Sequence, residues 1–81
     1  MSISYNYLVV KYFYEVFMKN KIAEFRKAQN LTQRQLAEKL NIYYQVFQRW
    51  ENGERAPTVE TALRLARVLN TTVEELFQLE D

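Results

Sequence analysis

Side chains that can form paired hydrogen bonds recur along one side of residues 43–52, YYQVFQRWEN. A glutamine amide matches the donor and acceptor on the edge of adenine, and an arginine guanidinium matches the acceptors of guanine. A tyrosine ring could meet a thymine methyl group or bond a phosphate. The candidates for reading base edges are therefore Tyr44, Gln45, Gln48 and Arg49. An ordinary solvent-facing helix is the alternative interpretation of the same residues.

A second set of residues is placed to contact a phosphate backbone. Gln33 begins a predicted helix whose N-terminal amides and positive dipole end favour an anion, and its side-chain amide adds a donor. Asn52 and Arg55 follow in the loop where the chain would pass the DNA backbone. The full phosphate set is Thr32, Gln33, Tyr43, Asn52 and Arg55, with Lys19 and Lys21 as weaker candidates. The alternative is a plain surface glutamine and a solvated turn.

Buried positions between Gln33 and Asn52 predict how these side chains are held. Counting Gln33 as the first position, apolar residues fall at 4, 5, 8, 10, 15 and 18. They are Leu36, Ala37, Leu40, Ile42, Phe47 and Trp50. This pattern is typical of a helix-turn-helix, which lays its second helix in the DNA major groove. Ala37 is small because the two helices should cross closely there.

Caps and stops predict a compact all-α bundle of five helices. The predicted helices run over about residues 21–29, 33–40, 43–52, 58–69 and 73–79. Asn20, Thr32, Thr58 and Thr72 are the predicted N-terminal caps, and Thr32 forms a capping box with Gln35. Asn30, Asn41, Gly53 and Asn70 are the predicted stops. The apolar stripe of the fourth helix should contain Val59, Leu63, Ala66 and Leu69, and the last helix should bury Val73, Leu76 and Phe77.

Two domains of unequal kind are predicted. Residues 19–81 form the helix-turn-helix domain, and residues 1–18, MSISYNYLVVKYFYEVFM, form an aromatic N-terminal extension. The composition of the extension favours a strand, whereas a heptad-like spacing of its apolar residues favours a helix. So much aromatic surface should pack on the bundle or on another subunit, as a dimerisation arm. Alternatively, the natural chain begins near Met18 and the preceding residues are incidental.

Composition narrows the classes of function. The chain contains no histidine and no cysteine, which removes the commonest general base, the commonest zinc ligand and any thiolate site. We therefore expect no enzymatic activity, cofactor, metal or small-molecule ligand. Between Lys19 and Arg55 there are eight basic and four acidic residues, against two and five afterwards, which favours a DNA-facing first half. No apolar stretch is long enough for a membrane span or reads as a secretory signal, so we expect a cytoplasmic protein.

Three stretches resemble a known family. LTQRQLAEKLNI, FQRWENGERAP and ETALRLARVLNTTVEELF are similar to the Cro and phage-repressor type of helix-turn-helix, also called the xenobiotic-response-element type. The resemblance covers Asn20 to about Leu79. It implies a lambda-repressor-like bundle, a DNA-binding third helix, a homodimer on a palindromic operator, and transcriptional regulation, here expected to be repression. It also implies that Arg26 and Glu51 meet as a structural ion pair between two helices.

Residues of the third helix depart from the family pattern. Tyr43 stands where a small hydroxyl residue usually caps the helix, and losing that cap costs about 1 kcal/mol. Val46 replaces the usual serine or threonine, and Phe47 is bulkier than the usual aliphatic residue and should crowd the junction. These changes leave room for a second hypothesis. The fold could serve as a protein-binding module or antitoxin, with Tyr43, Tyr44 and the N-terminal aromatics as its contact surface.

Overall fold

The computed structural model describes residues 18–79, which form five helices framed by two short strands. The elements are β1 (Met18–Asn20), α1 (Ile22–Ala28), α2 (Gln33–Lys39), α3 (Tyr44–Glu51), α4 (Val59–Val68), α5 (Val73–Leu76) and β2 (Phe77–Leu79). The predicted compact helical bundle is confirmed. The predicted aromatic extension lies outside the described residues, apart from Met18. In the described part, no helix is both long and apolar enough to cross a bilayer.

The two strands join the ends of the described chain. They pair antiparallel, with Met18 opposite Leu79 and Asn20 opposite Phe77. The prediction that the last helix continues to about Leu79 is wrong. Helix α5 ends at Leu76 because Phe77 adopts an extended backbone, with φ −125° and ψ 107°, and the following residues bond to β1 instead. Sequence analysis placed helix where this strand lies because the pairing partner is remote in the chain.

The threonine caps and the predicted stops lie at helix ends, whereas the N-cap of α1 is Lys21 instead of the predicted Asn20, whose Oδ1 accepts from Ile22 N at 2.8 Å. Thr32 Oγ1 accepts from Gln35 N at 3.0 Å, and Gln35 Oε1 accepts from Thr32 N at 2.9 Å, which completes the capping box. The side chains of Thr58 and Thr72 cap α4 and α5 in the same manner. Asn30, Asn41, Asn70 and Gly53 all have positive φ, between 54° and 75°. Tyr43 is the N-cap of α3 and makes no side-chain cap hydrogen bond within residues 18–79, as its chemistry predicted.

The core lies between the helices and contains most of the predicted residues. Its buried members are Ile22, Leu36, Ala37, Leu40, Phe47, Trp50, Ala62, Leu65, Ala66, Leu69 and Leu76. Phe47 is fully buried, so the junction accommodates it in a cluster that also contains the small residues Ala37 and Ala66. The predicted stripe of α4 is partly wrong. Val59 and Leu63 are 79% and 58% exposed, because α4 turns Ala62 and Leu65 inward instead.

Candidate nucleic-acid interface

Helix α3 packs on the core through a buried apolar face. Phe47 and Trp50 lie in the core with their ring centroids 6.1 Å apart in an edge-to-face arrangement. Side chains on the other side of the helix remain in solvent: Gln45 and Arg49 are exposed, and Tyr43 is 80% exposed. The helix therefore presents a polar surface that its own core does not cover.

An ion pair joins α1 to the end of α3. Arg26 Nε lies 2.5 Å from Glu51 Oε2, and only 11% and 6% of the two side chains are exposed. A second guanidinium nitrogen of Arg26 donates to Glu51 Oε1 at 3.3 Å, and the third donates to the Leu31 carbonyl at 2.7 Å. The desolvation of two buried charges offsets much of their attraction, so such a pair adds little net stability. The contact joins the two residues that the family resemblance placed together.

Hydrogen bonds continue from this ion pair to the outer face of α3. Gln33 Nε2 donates to Glu51 Oε1 at 3.0 Å, and the Tyr44 hydroxyl donates to Gln33 Oε1 at 3.2 Å. Gln48 Nε2 then donates to the Tyr44 hydroxyl at 3.0 Å. We refer to this series of contacts, Arg26–Glu51–Gln33–Tyr44–Gln48, as the side-chain network. It connects α1, α2 and α3 through groups that sequence analysis treated separately.

Arg34 is a member of the site that sequence analysis missed. Its guanidinium carbon lies 4.1 Å from the centroid of the Tyr44 ring, a cation–π contact. The sequence held a usable signal, since Arg34 directly follows Gln33 in the first turn of α2. Tyr44, the partner of Arg34, is the first residue of α3.

The predicted phosphate contacts flank α3. Thr32, Asn52 and Arg55 are exposed, whereas Gln33 is half-buried because both ends of its amide bond to protein groups. Arg55 N and Glu54 N donate to the Arg49 carbonyl at 3.3 and 2.9 Å, which folds the loop against the end of the helix. Lys21 is half-buried, and nothing is described of the Lys19 side chain.

The predicted base-reading residues fall into two groups. Tyr44 and Gln48 belong to the side-chain network, whereas Gln45 and Arg49 form no side-chain hydrogen bond or ion pair to any residue in the range 18–79. In that same range, no three histidine, cysteine or acidic side chains lie close enough together to hold a metal ion. The arrangement offers donors and acceptors on a convex helix, which suits recognition of a groove.

Comparison with known proteins decides the family. A family model described as Helix-turn-helix matches residues 22–76, from the start of α1 to the end of α5. The chain belongs to the Cro/CI-type helix-turn-helix family. An uncharacterised HTH-type transcriptional regulator of Methanocaldococcus jannaschii is 36% identical over 64 residues, covering 79% of this chain and 97% of that protein. The family assignment thus confirms the resemblance that the three sequence stretches indicated.

Other family members have named roles. The transcriptional repressor RstR of the cryptic phage CTXphi in Vibrio cholerae is 36% identical over 59 residues, which cover 73% of this chain and 53% of that protein. The transcriptional activator BcrR of Enterococcus faecalis is 33% identical, over 75% of this chain and 30% of that protein. A crystal structure of a protein from Bacteroides fragilis superposes with a TM-score of 0.69 at 24% sequence identity. That match covers 75% and 98% of the two chains and supports the fold.

Proposed function

We propose that this helix-turn-helix protein is a sequence-specific DNA-binding transcriptional regulator. In this proposal α3 enters the major groove, and the outer residues Gln45, Gln48 and Arg49 meet base edges. The observation that carries the proposal is the exposed polar side of α3 above a buried apolar underside. A helix held in this way can enter a groove without unfolding its own core.

Phosphate contacts should orient the domain on the duplex. Because Gln35 N bonds to Thr32 Oγ1, the amides of Gln33 and Arg34 are the ones left to bond a phosphate, together with the exposed Thr32 hydroxyl. The Gln33 amide has two N–H donors, and since one bonds to Glu51, the other is available to a phosphate. On the other side of α3, Asn52 and Arg55 are exposed in the following loop, and Tyr43 lies at the helix start. Contacts on both sides of a recognition helix fix its register without reading sequence.

We further propose that the protein represses transcription as a homodimer. A matched relative, RstR, is named as a transcriptional repressor, although another, BcrR, is named as an activator. Support for self-association comes from an exposed apolar groove beside α4 and α5. The groove is lined by Ala56, Pro57, Val59, Ala62, Leu63, Val73 and Phe77. A second copy covering this groove would remove Val59 and Leu63 from water and present two α3 helices to one operator.

The protein-binding alternative is less well supported by the described residues. It needs Tyr43 and Tyr44 as free contact residues, yet Tyr44 is half-buried and engaged on Gln33, Gln48 and Arg34. Only Tyr43 of this pair is broadly exposed. The N-terminal aromatics of that hypothesis lie outside the described residues.

Selection of random duplex DNA with purified full-length protein tests the proposed function. We expect enrichment of one sequence with two-fold symmetry, and binding that weakens steeply as salt concentration rises. Enrichment of a sequence without symmetry would contradict the homodimer but not DNA recognition. Failure to enrich any sequence, together with salt-independent binding, would contradict the function itself.

A further inference from the structure

We infer that Tyr44 positions the Gln48 amide for reading an adenine, instead of contacting a base itself. The inference rests on the proposed function and assigns a base and a mechanism to the same surface. It starts from the side-chain network, in which the Tyr44 hydroxyl lies between the side chains of Gln33 and Gln48. Both contacts involve residues of the helix-turn-helix, so the device is complete within one protomer.

The hydrogen-bonding capacity of Tyr44 is committed to protein groups. A phenol has one hydrogen to donate, and Tyr44 gives it to Gln33 Oε1 at 3.2 Å. The same oxygen accepts from Gln48 Nε2 at 3.0 Å. One face of the ring carries the Arg34 guanidinium at 4.1 Å. Tyr44 is therefore poorly placed to recognise a base directly, in contrast to the 80% exposed Tyr43.

The hydrogen-bonding capacity that Gln48 retains matches adenine. Its amide nitrogen has two hydrogens, and the contact with Tyr44 occupies one of them. In the inferred arrangement this is the hydrogen that points away from Oε1. The other hydrogen and Oε1 then lie together on one free edge of the amide. That donor and acceptor pair complements N7 and the N6 amino group of adenine in the major groove.

The contacts that hold Tyr44 lead back to a buried ion pair. Tyr44 is held by Gln33, whose Nε2 donates to Glu51 Oε1 at 3.0 Å, and Glu51 is held by the buried Arg26. A glutamine in solvent samples many rotamers and loses that freedom when it binds. Holding the Gln48 amide before DNA arrives reduces this loss and fixes which edge faces the groove. Gln45 and Arg49 have no equivalent support within residues 18–79.

The test compares Tyr44→Phe with Tyr43→Phe, which removes the hydroxyl of the neighbouring exposed tyrosine. Affinities of full-length wild type, the two variants, Gln48→Ala and the Tyr44→Phe/Gln48→Ala double variant are measured on the selected duplex and on all its single base-pair changes. We expect Tyr44→Phe to reduce discrimination about five- to tenfold at one A·T pair, the pair at which Gln48→Ala also loses discrimination. The double variant should lose no more than Gln48→Ala alone. Tyr43→Phe alters a proposed phosphate contact, so any loss of affinity should be equal on all duplexes, and discrimination at that pair should stay unchanged.

A second measurement is independent of DNA. It uses the NMR chemical shifts of the Gln48 side-chain amide protons in the free protein. In Tyr44→Phe these shifts should move toward those of a solvent-exposed glutamine, and in Tyr43→Phe they should not. The Tm should be unchanged in both variants. Equal amide shifts and equal discrimination in the two variants would overturn the inference, while leaving the function intact if wild type still selects a sequence. Loss of discrimination at a different pair from Gln48→Ala would also overturn it, since Tyr44 would then read its own base. If wild type selects no sequence, the proposed function fails first.

Discussion

The Arg49 side chain, like that of Gln45, forms no hydrogen bond or ion pair to any residue in the range 18–79. It is exposed on the outer side of α3, and its forked donors can bond O6 and N7 of guanine. We predict that Arg49→Ala weakens binding to the selected duplex by about 1–3 kcal/mol and relaxes preference at one base pair. Fluorescence anisotropy on single base-pair variants of the operator measures both effects. Equal weakening on every sequence would show that Arg49 contacts phosphate instead.

Arg55→Ala provides the matched comparison, because it removes the same charged group from the loop after α3. We expect it to weaken binding to all duplexes by a similar factor and to lower the slope of log Kobs against log salt by about one. Unchanged salt dependence with altered base preference would place Arg55 at a base edge. The two variants together separate reading residues from orienting residues.

At the level of single residues, sequence analysis found the types of side chain but not their connections. The outer positions of α3 follow from helical period alone, and the Arg26–Glu51 pair came from family resemblance. The bonds among Gln33, Tyr44 and Gln48 depend on rotamers and on the distance between α2 and α3. Neither quantity can be obtained from the spacing of residues in the sequence, so Arg34 and the side-chain network were missed.

Among the helices, α2 carries a cap with two consequences. Thr32 closes the capping box and also stands at the proposed phosphate site. We predict that Thr32→Ala lowers the free energy of unfolding by about 0.5–2 kcal/mol and weakens DNA binding. Thr58→Ala is the control, since Thr58 caps α4 with the same chemistry outside the proposed interface. Urea unfolding and DNA titration of both variants check the prediction, which fails if the two affect DNA binding equally.

Variants of the ion pair between α1 and α3 permit effects on stability and on recognition to be measured separately. Glu51→Ala leaves the Arg26 charge buried without its partner, so we predict a loss of about 3–5 kcal/mol in unfolding free energy. An Arg26→Met/Glu51→Met variant should recover most of that stability, because two apolar side chains can replace a buried pair. Discrimination between operators should stay impaired, since Gln33 loses its acceptor. Full recovery of both properties would contradict the positioning role of the pair.

Helix starts and stops could be predicted because they depend on residues a few positions apart. Threonine caps and left-handed asparagines act within one turn, and each was found where its local chemistry placed it. The end of α5 could not, because β2 forms only when Phe77–Leu79 meets Met18–Asn20 at the other end of the domain. The exposure of Val59 and Leu63 had a similar cause. A helical stripe shows which residues share a face, but packing decides how far that face is covered.

For the molecule as a whole, the open question is what covers the groove beside α4 and α5. We predict that wild type sediments as a dimer and that Leu63→Gln shifts it toward monomer while weakening operator binding. Arg64→Gln introduces the same residue one position along, outside the groove, and should leave the dimer intact. Sedimentation velocity over a concentration series measures the equilibrium. Identical behaviour of both variants would place any dimer contact elsewhere.

The most direct test of the whole account uses the selected operator with 7-deaza purines at single positions, which removes N7 acceptors from the major groove alone. We predict that wild type loses affinity at one guanine and one adenine on each half-site. Arg49→Ala should become insensitive at the guanine, and Gln48→Ala at the adenine. If every 7-deaza duplex binds wild type as tightly as the natural one, α3 does not read the major groove and the account is wrong.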